Sequence, residues 1–288
     1  MKAVLPSVAS FWLGSKLGFA EALCLTSFVK LGHETVLYAY GTPENLPEGV
    51  RLENAEPFGP LELAEKYARD GVIPAFADRF RYRMLAETDH IWVDTDMLGL
   101  RPIQSADYVF GTLKNHTRLV NNAVLRLPRR SSILQSLIDH TERYFPEVPK
   151  DWPYSKKYFG GANPSGARVV LPTREFSVGE LPFYFGGPHA LTYYLKKYSL
   201  LDWASQPDRF YPFDARLVAR NTKWPDRFPL ELPEVTEAVH HVGGRIFRKF
   251  AYAQDGKLSI NSESFVGRYA AGIRFFATNP SDFFDLSP

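Results

Sequence analysis

His90-Ile91-Trp92-Val93-Asp94-Thr95-Asp96 reads as a short apolar strand that stops on two acids. Ahead of it, Phe76-Ala77-Asp78-Arg79-Phe80-Arg81-Tyr82-Arg83-Met84-Leu85 has helical spacing, with Asp78 and Arg81 at i, i+3. Side chains two apart on a strand share a face at about 6–7 Å between Cα atoms. Asp94 and Asp96 can therefore aim both carboxylates at one ion, and they stay close even if the strand bends at its end. Hard oxygen ligands that leave positions open for water or phosphate suit Mg2+ or Mn2+. A solvated pair of acids and a surface Asp78–Arg81 ion pair are the plainer readings of the same residues.

Working outward, strand and helix signals alternate through the first half. Residues 3–12 read as a strand ending at Phe11-Trp12, 16–31 as a helix stopped by Gly32, and Thr35 to Tyr40 as a strand closed by Gly41-Thr42-Pro43. A Pro/Gly/Glu-rich connection leads to helices near 60–70 and 74–87, and strands are expected over 107–113 and 119–127. Such alternation predicts an α/β layer with a mostly parallel sheet flanked by helices. Ligands of these sheets sit beyond the carboxyl ends of the strands, where Trp12 and Asp94 both fall. The second half is less regular, with helices expected over 131–144, 188–198 and 261–274, a strand over 235–242, and a Pro-rich stretch between.

Composition narrows the function classes. The 288 residues, 45 % hydrophobic, can bury one large core, and no repeat or linker divides them. With 34 basic against 32 acidic residues, there is no electrostatic case for a nucleic-acid partner. An aromatic share of 15 % suits flat rings offered to sugars or bases, and equally a Phe-rich core. The lone Cys24 allows no internal disulfide and reads as a small core residue. No signal peptide or transmembrane stretch is legible, so a cytoplasmic protein is expected, and Asn115-His116-Thr117 reads as an accidental sequon.

The block A-D-R-F-R-Y-R-M-L followed by W-V-D-T-D resembles the glycosyltransferases of family 32 and the related α-1,4-glycosyltransferases. The likeness extends to Ser10-Phe11-Trp12-Leu13-Gly14, Asn121-Asn122-Ala123-Val124-Leu125, Gly187-Pro188-His189-Ala190-Leu191-Thr192 and Ala238-Val239-His240-His241, in family order. It implies a GT-A-like, Rossmann-type mixed sheet with an irregular C-terminal half, and retaining transfer of a hexosyl unit from a UDP-sugar to a saccharide or glycolipid. The whole of 1–288 would form one domain: a nucleotide-sugar-binding half, 1–127, and an acceptor-side and metal/phosphate-binding half, 128–288. Trp12, beside Gly14, would stack on uracil. Asp78 and Arg81 would meet donor sugar hydroxyls or a phosphate oxygen. Asp94 and Asp96 would face ribose and metal, Asn121 or Asn122 would lie near the sugar, and His240 would be the third metal ligand. After the histidines the chain departs from the family's Ser-x-Trp or Ser-Trp with Val242-Gly243-Gly244-Arg245, where Arg245 could clamp phosphate.

Two other classes compete. A phosphatase of haloacid dehalogenase type also ends a strand on D-x-D, but it calls for a later D-D or G-D-x-x-x-D and for Thr or Val where Leu98 stands. A non-catalytic sugar-nucleotide-binding protein would keep Trp12 without needing the acids. No P-loop or dinucleotide fingerprint occurs. His33 reads as a surface residue, His116 and His140 as solvated, and Tyr193, Tyr194 and Tyr198 as core. Lys196-Lys197, Arg245, Arg248-Lys249, Phe275-Phe276 and Phe283-Phe284 suggest a peripheral membrane contact, against which stands the lack of a continuous amphipathic helix.

Overall fold

The computed structural model describes residues 4–144 apart from Asn115, then 147, 149, 151–152, 185–240 and 260–272. Within them the expected class is found: a mixed, mostly parallel six-stranded sheet flanked by helices. The first strands are β1 (Val8–Phe11), β2 (Thr35–Ala39), β3 (Val50–Asn54) and β4 (Ile91–Val93). Next come β5 (Met97–Gly99), β6 (Val109–Leu113), β7 (His116–Arg126) and β8 (Ala238–His240). The main sheet runs β3-β2-β1-β4-β7-β6, and β5 pairs with β8 in a separate two-stranded sheet. Pairs β1–β2, β2–β3 and β1–β4 are parallel, whereas β7 runs antiparallel to both β4 and β6.

Every residue of β1, β2 and β4 is buried, as expected of parallel strands covered on both faces. Alternation then sorts their side chains. Ala9, Phe11, Val36, Tyr38 and Trp92 enter one core beneath helices α3 (Ile73–Glu87) and α4 (Ser132–Glu142). Val8, Ile91 and Val93 enter another with Phe28 of α1 (Phe19–Lys30). Aromatic packing organises the first core: Phe11 and Phe80 stack at 4.5 Å, and Phe80 lies 6.2 Å from Trp92. Cys24 is buried and free, and Tyr193 and Tyr194 are in the core, as their spacing predicts.

Four elements differ from expectation. The edge strand β3 is hidden in the sequence because only Val50 of its five residues is buried and Pro47 and Gly49 precede it. β5 follows β4 so closely that the two merge into one signal. The others are α6 (Pro207–Phe210) and α7 (Ala215–Lys223). α7 buries Asn221 and Thr222 beside Val218 and Ala219, so its inner face does not read as an apolar stripe. The remaining helices are α2 (Leu61–Arg69), α5 (Ala190–Lys197), which continues a π-type turn over Phe185–His189, and α8 (Phe265–Gly272). No described helix is long and apolar enough to cross a membrane.

Two histidines also depart from their expected settings. His140 is buried and stacked on Phe185 at 4.5 Å and Trp152 at 5.1 Å, and burial pushes its pKa down to about 4. Its polar neighbours Asp139 and Glu142 disguised a position on the inner face of α4. His33, just beyond the stop of α1, is buried as well. Its Nδ1 lies 2.8 Å from the Pro6 carbonyl, and its Nε2 accepts the Ile103 N–H at 3.1 Å. This pair of bonds fixes the neutral tautomer with the proton on Nδ1, and burial lowers its pKa. His33→Phe should cost about 1–3 kcal/mol by stranding a buried N–H and carbonyl. Because the unfolded chain takes up this proton first, wild-type stability should fall as pH drops below ~6.5, and less steeply in the variant. Urea unfolding at pH 7.5 and 5.5 reads both; equal stability at pH 7.5 would remove the bridging role.

Candidate active site

The sheet order creates the site. From β1 the chain runs outward through β2 to β3, then returns to place β4 on the other side of β1, so the order reverses between β1 and β4. In open α/β sheets the crevice at such a point, beyond the strands' carboxyl ends, is where ligands bind. Trp12 follows β1 and Asp94 follows β4 at this crevice. Ser10 braces it by donating its hydroxyl to the Val93 carbonyl at 2.6 Å.

Beyond Val93 the strand bends. The Met97 N–H donates to the Asp94 carbonyl at 3.0 Å, closing a turn over Asp94-Thr95-Asp96 that keeps the carboxylates together. The chain then enters β5, whose partner β8 sets His240 opposite Met97. Ala238 and Val239 of β8 are buried in separate cores, and His240 emerges at the strand's end. Ligand atoms of Asp94, Asp96 and His240 all lie within 4.8 Å of one another, so the three could hold a metal ion. His240 Nε2 is 3.1 Å from Asp96 Oδ1. Two carboxylates and an imidazole are a donor set that Mn2+ accepts readily and Mg2+ tolerates.

Behind the cluster lies a buried charge network. Arg81 of α3 is 4 % exposed, and its Nη1 sits 3.0 Å from Asp94 Oδ1 while donating to the Asn122 carbonyl at 2.6 Å. Its Nη2 lies 3.3 Å from Asp78 Oδ1, and its guanidinium is 4.7 Å above the Trp92 ring. Asn122 Nδ2 donates to Asp78 Oδ1 at 2.8 Å, and the Trp92 indole N–H donates to Asp94 Oδ1 at 2.6 Å. The Arg81 and Trp92 bonds to Asp94 both fall on Oδ1, so Oδ2 is the oxygen left for a further cation. Asp78 and Arg81 are thus a buried pair wired to the acids, not a solvated helix pair.

Burial raises the Asp78 carboxyl to about 6, although Arg81 and Asn122 draw it back. Asp94 is raised too, chiefly by burial, with Arg81 opposing and Asp96 adding to the effect. Burial alone would lower His240, but Asp96 and then Asp94 beside it hold its pKa above the usual histidine range.

The other expected residues fall as follows. Trp12 is half-buried against the cluster that contains Leu17, Leu25 and Leu37, and its buried indole N–H meets no acceptor among the described residues. Gly14 has a φ of +150°, and a Cβ there would stand 3.2 Å from Trp12 Nε1, so the backbone lies against the indole edge. Alternation along β7 turns Asn122 into the Asp78–Arg81 network, whereas Asn121 accepts the Ala123 N–H at 2.9 Å. His241 and Arg245 lie outside the described residues.

No protein-family model matches the sequence, and no match to a curated protein was found. A solved structure of PaToxG glycosyltransferase superposes with a TM-score of 0.42 at 11 % identity, covering 68 % of this chain and 70 % of that one. A likeness at that level carries no argument about activity.

Three further residues take part in this arrangement. Tyr82 donates to the Gly186 carbonyl at 3.0 Å and belonged to the quoted helix, where its polar tip gave no hint of a partner. A Cβ at Gly187 would stand 2.9 Å from both Asp78 oxygens, so only glycine lets this loop close on the carboxylate. Tyr211 accepts the Val124 N–H at 3.0 Å and packs edge-on to His240 at 6.1 Å. It sits in a Phe/Pro-rich stretch with no motif to flag it.

Arg81→Met should destabilise the protein by about 3–5 kcal/mol, because it leaves Asp78 and Asp94 facing one another without their shared cation. Arg81→Lys should restore less than half of that, since one ammonium cannot span both carboxylates and the Asn122 carbonyl. Denaturant unfolding measures both losses; near wild-type stability in Arg81→Met would show that the network contributes nothing to the fold.

Proposed function

We propose that this chain is a metal-dependent glycosyltransferase that moves a hexosyl unit from a UDP-sugar to a saccharide or glycolipid acceptor. The observation that carries the reading is the convergence of Asp94, Asp96 and His240 at the point between β1 and β4 where strand order reverses. When bound there, Mn2+ or Mg2+ would neutralise the charge that develops on a departing diphosphate. Trp12 would stack on the uracil, with Gly14 allowing the backbone close to the ring. Asp94 and Asp96 would face the ion from the protein side, and Arg81 would keep Asp94 in position. Asp78, held by Arg81 and Asn122, would accept a donor sugar hydroxyl, and Arg245 would clamp a phosphate. The acids are committed to cations, so no protein nucleophile is assigned, and transfer with retention would leave proton acceptance to the departing phosphate.

Donor turnover tests the reading directly. UDP-sugars should be hydrolysed slowly in the absence of acceptor, with Mn2+ or Mg2+ required, and Asp96→Asn should lose at least a hundredfold in rate. Because His240 must give up its proton to become a ligand, Mn2+ affinity should fall as pH drops through the raised histidine range, and binding should release protons. Unchanged turnover in excess chelator, or phosphomonoester hydrolysis in its place, would refute the assignment. A second measurement addresses the base site. Trp12→Ala should weaken UDP binding by about 1–3 kcal/mol in a folded protein, and calorimetry showing equal UDP affinity would remove the stacking role.

A further inference from the structure

α7 and the chain that follows it carry a surface that shares no side chain with the cluster above. The helix buries Val218, Ala219, Asn221 and Thr222 and sets Arg216, Arg220 and Lys223 on its outer face at i, i+4, i+7 spacing, all three exposed. Arg227 follows, also exposed, and none of the four makes an ion pair among the described residues. The turn folds back on the helix: Asn221 Nδ2 donates to the Phe228 carbonyl at 2.9 Å, and Leu230 packs in the cluster that holds Val218.

This brings the cations around aromatic rings. Lys223 Nζ stands 5.3 Å from the centroid of Trp224, and the guanidinium carbons of Arg220 and Arg227 stand 5.4 and 5.7 Å from that of Phe228. Trp224 is 43 % exposed, Leu232 40 % and Val235 62 %. These are three of the five large hydrophobics exposed among the described residues, gathered within twelve positions.

We propose that α7 and residues 224–235 dock the protein on an anionic lipid surface. Arg216, Arg220, Lys223 and Arg227 meet headgroup phosphates, while Trp224, Leu232 and Val235 enter the interfacial layer. Between residues 214 and 228 the acids are Asp214, which caps α7 by accepting the Arg216 N–H at 2.8 Å, and Asp226, so the basic charge prevails there. Glu231 and Glu234 lie further on and are exposed, flanking the aliphatic residues. Leu232 and Val235 favour a lipid surface over a nucleic acid, because exposed aliphatic side chains gain from an apolar interfacial layer and nothing from phosphates. Docking also bears on the candidate site: Val218 on the inner face of α7 packs with Leu98 and Val239, the neighbours of Met97 and His240. The proposal does not depend on the activity assigned above.

The test is co-sedimentation of the full chain with phosphatidylcholine vesicles, with and without phosphatidylglycerol. Binding is expected only to the anionic vesicles and should weaken as salt rises. Arg220→Gln combined with Lys223→Gln should lower vesicle affinity roughly 30-fold, at ~1 kcal/mol per cation. Trp224→Ser should lower it without changing the salt dependence, with near-ultraviolet dichroism confirming the fold of each variant. Absence of binding, equal binding to neutral vesicles, or wild-type affinity in the folded double variant would overturn the proposal. So would a labelled oligonucleotide bound through Arg220 and Lys223 at a salt concentration where vesicles are not.

Discussion

A single buried guanidinium decides what the rest of the site can be. Arg81 is reached by two carboxylates and donates to two carbonyls, those of Ala77 and Asn122, so its charge is compensated without water. Burying an unpaired cation would cost several kcal/mol, and burying Asp78 alone would drive it fully neutral. The pair is tolerable only as a network, and the network needs α3, β4 and β7 in fixed register. Trp92 completes it by placing its ring under Arg81 and its N–H on Asp94. The geometry of the acids therefore follows from the packing of the sheet against one helix.

His240 comes from the far end of the chain. β8 reaches the cluster only by pairing with β5, whose first residue follows Asp96 directly. The turn closed by Met97 does two things at once: it folds the acids together and launches the strand that recruits the histidine. Ser27 of α1 anchors the same strand by accepting the Gly99 N–H at 2.8 Å. Closing the cluster thus requires a contact between residues 144 positions apart, so loosening β5–β8 would remove the imidazole and leave two acids.

Much of this was legible in the residues, for identifiable reasons. Short, fully buried runs bounded by turn residues or acids made β1, β2 and β4 readable, and alternation with helices gave the sheet class. Asp94 and Asp96 stood out because an apolar strand ran straight into them. The sequence could not show that Arg81 points inward, because a helix with Arg79, Arg81 and Arg83 looks solvated until one knows what stands opposite. Arg79 and Arg83 pair with Glu142 of α4, whereas Arg81 turns to the acids. α7 escaped for the opposite reason, since its buried face is half polar: Asn221 spends its amide on the Phe228 carbonyl and the Phe265 N–H, a use no periodicity records. His33 and His140 were misplaced by the same logic, polar residues satisfied or stacked inside.

Charge balance explains how three carboxylates can share this crevice at all. Asp94 and Asp96 carry like charge at close range, which adds to the rise that burial imposes on Asp94. Arg81 lies behind Asp94, and His240 lies beside Asp96, so each acid has its own cation on a different side. The two cations are not equivalent. Arg81 is permanently charged, buried, and packed over the Trp92 ring, so it fixes position. His240 is charged only while protonated and is part-exposed, so a divalent ion bound there would displace its proton and take its lone pair. Asp96 and Asp94 raise the His240 pKa, and His240 in turn lowers that of Asp94, so imidazole and acids favour one another's charged forms. The arrangement is therefore fixed on the Arg81 side and titratable on the His240 side.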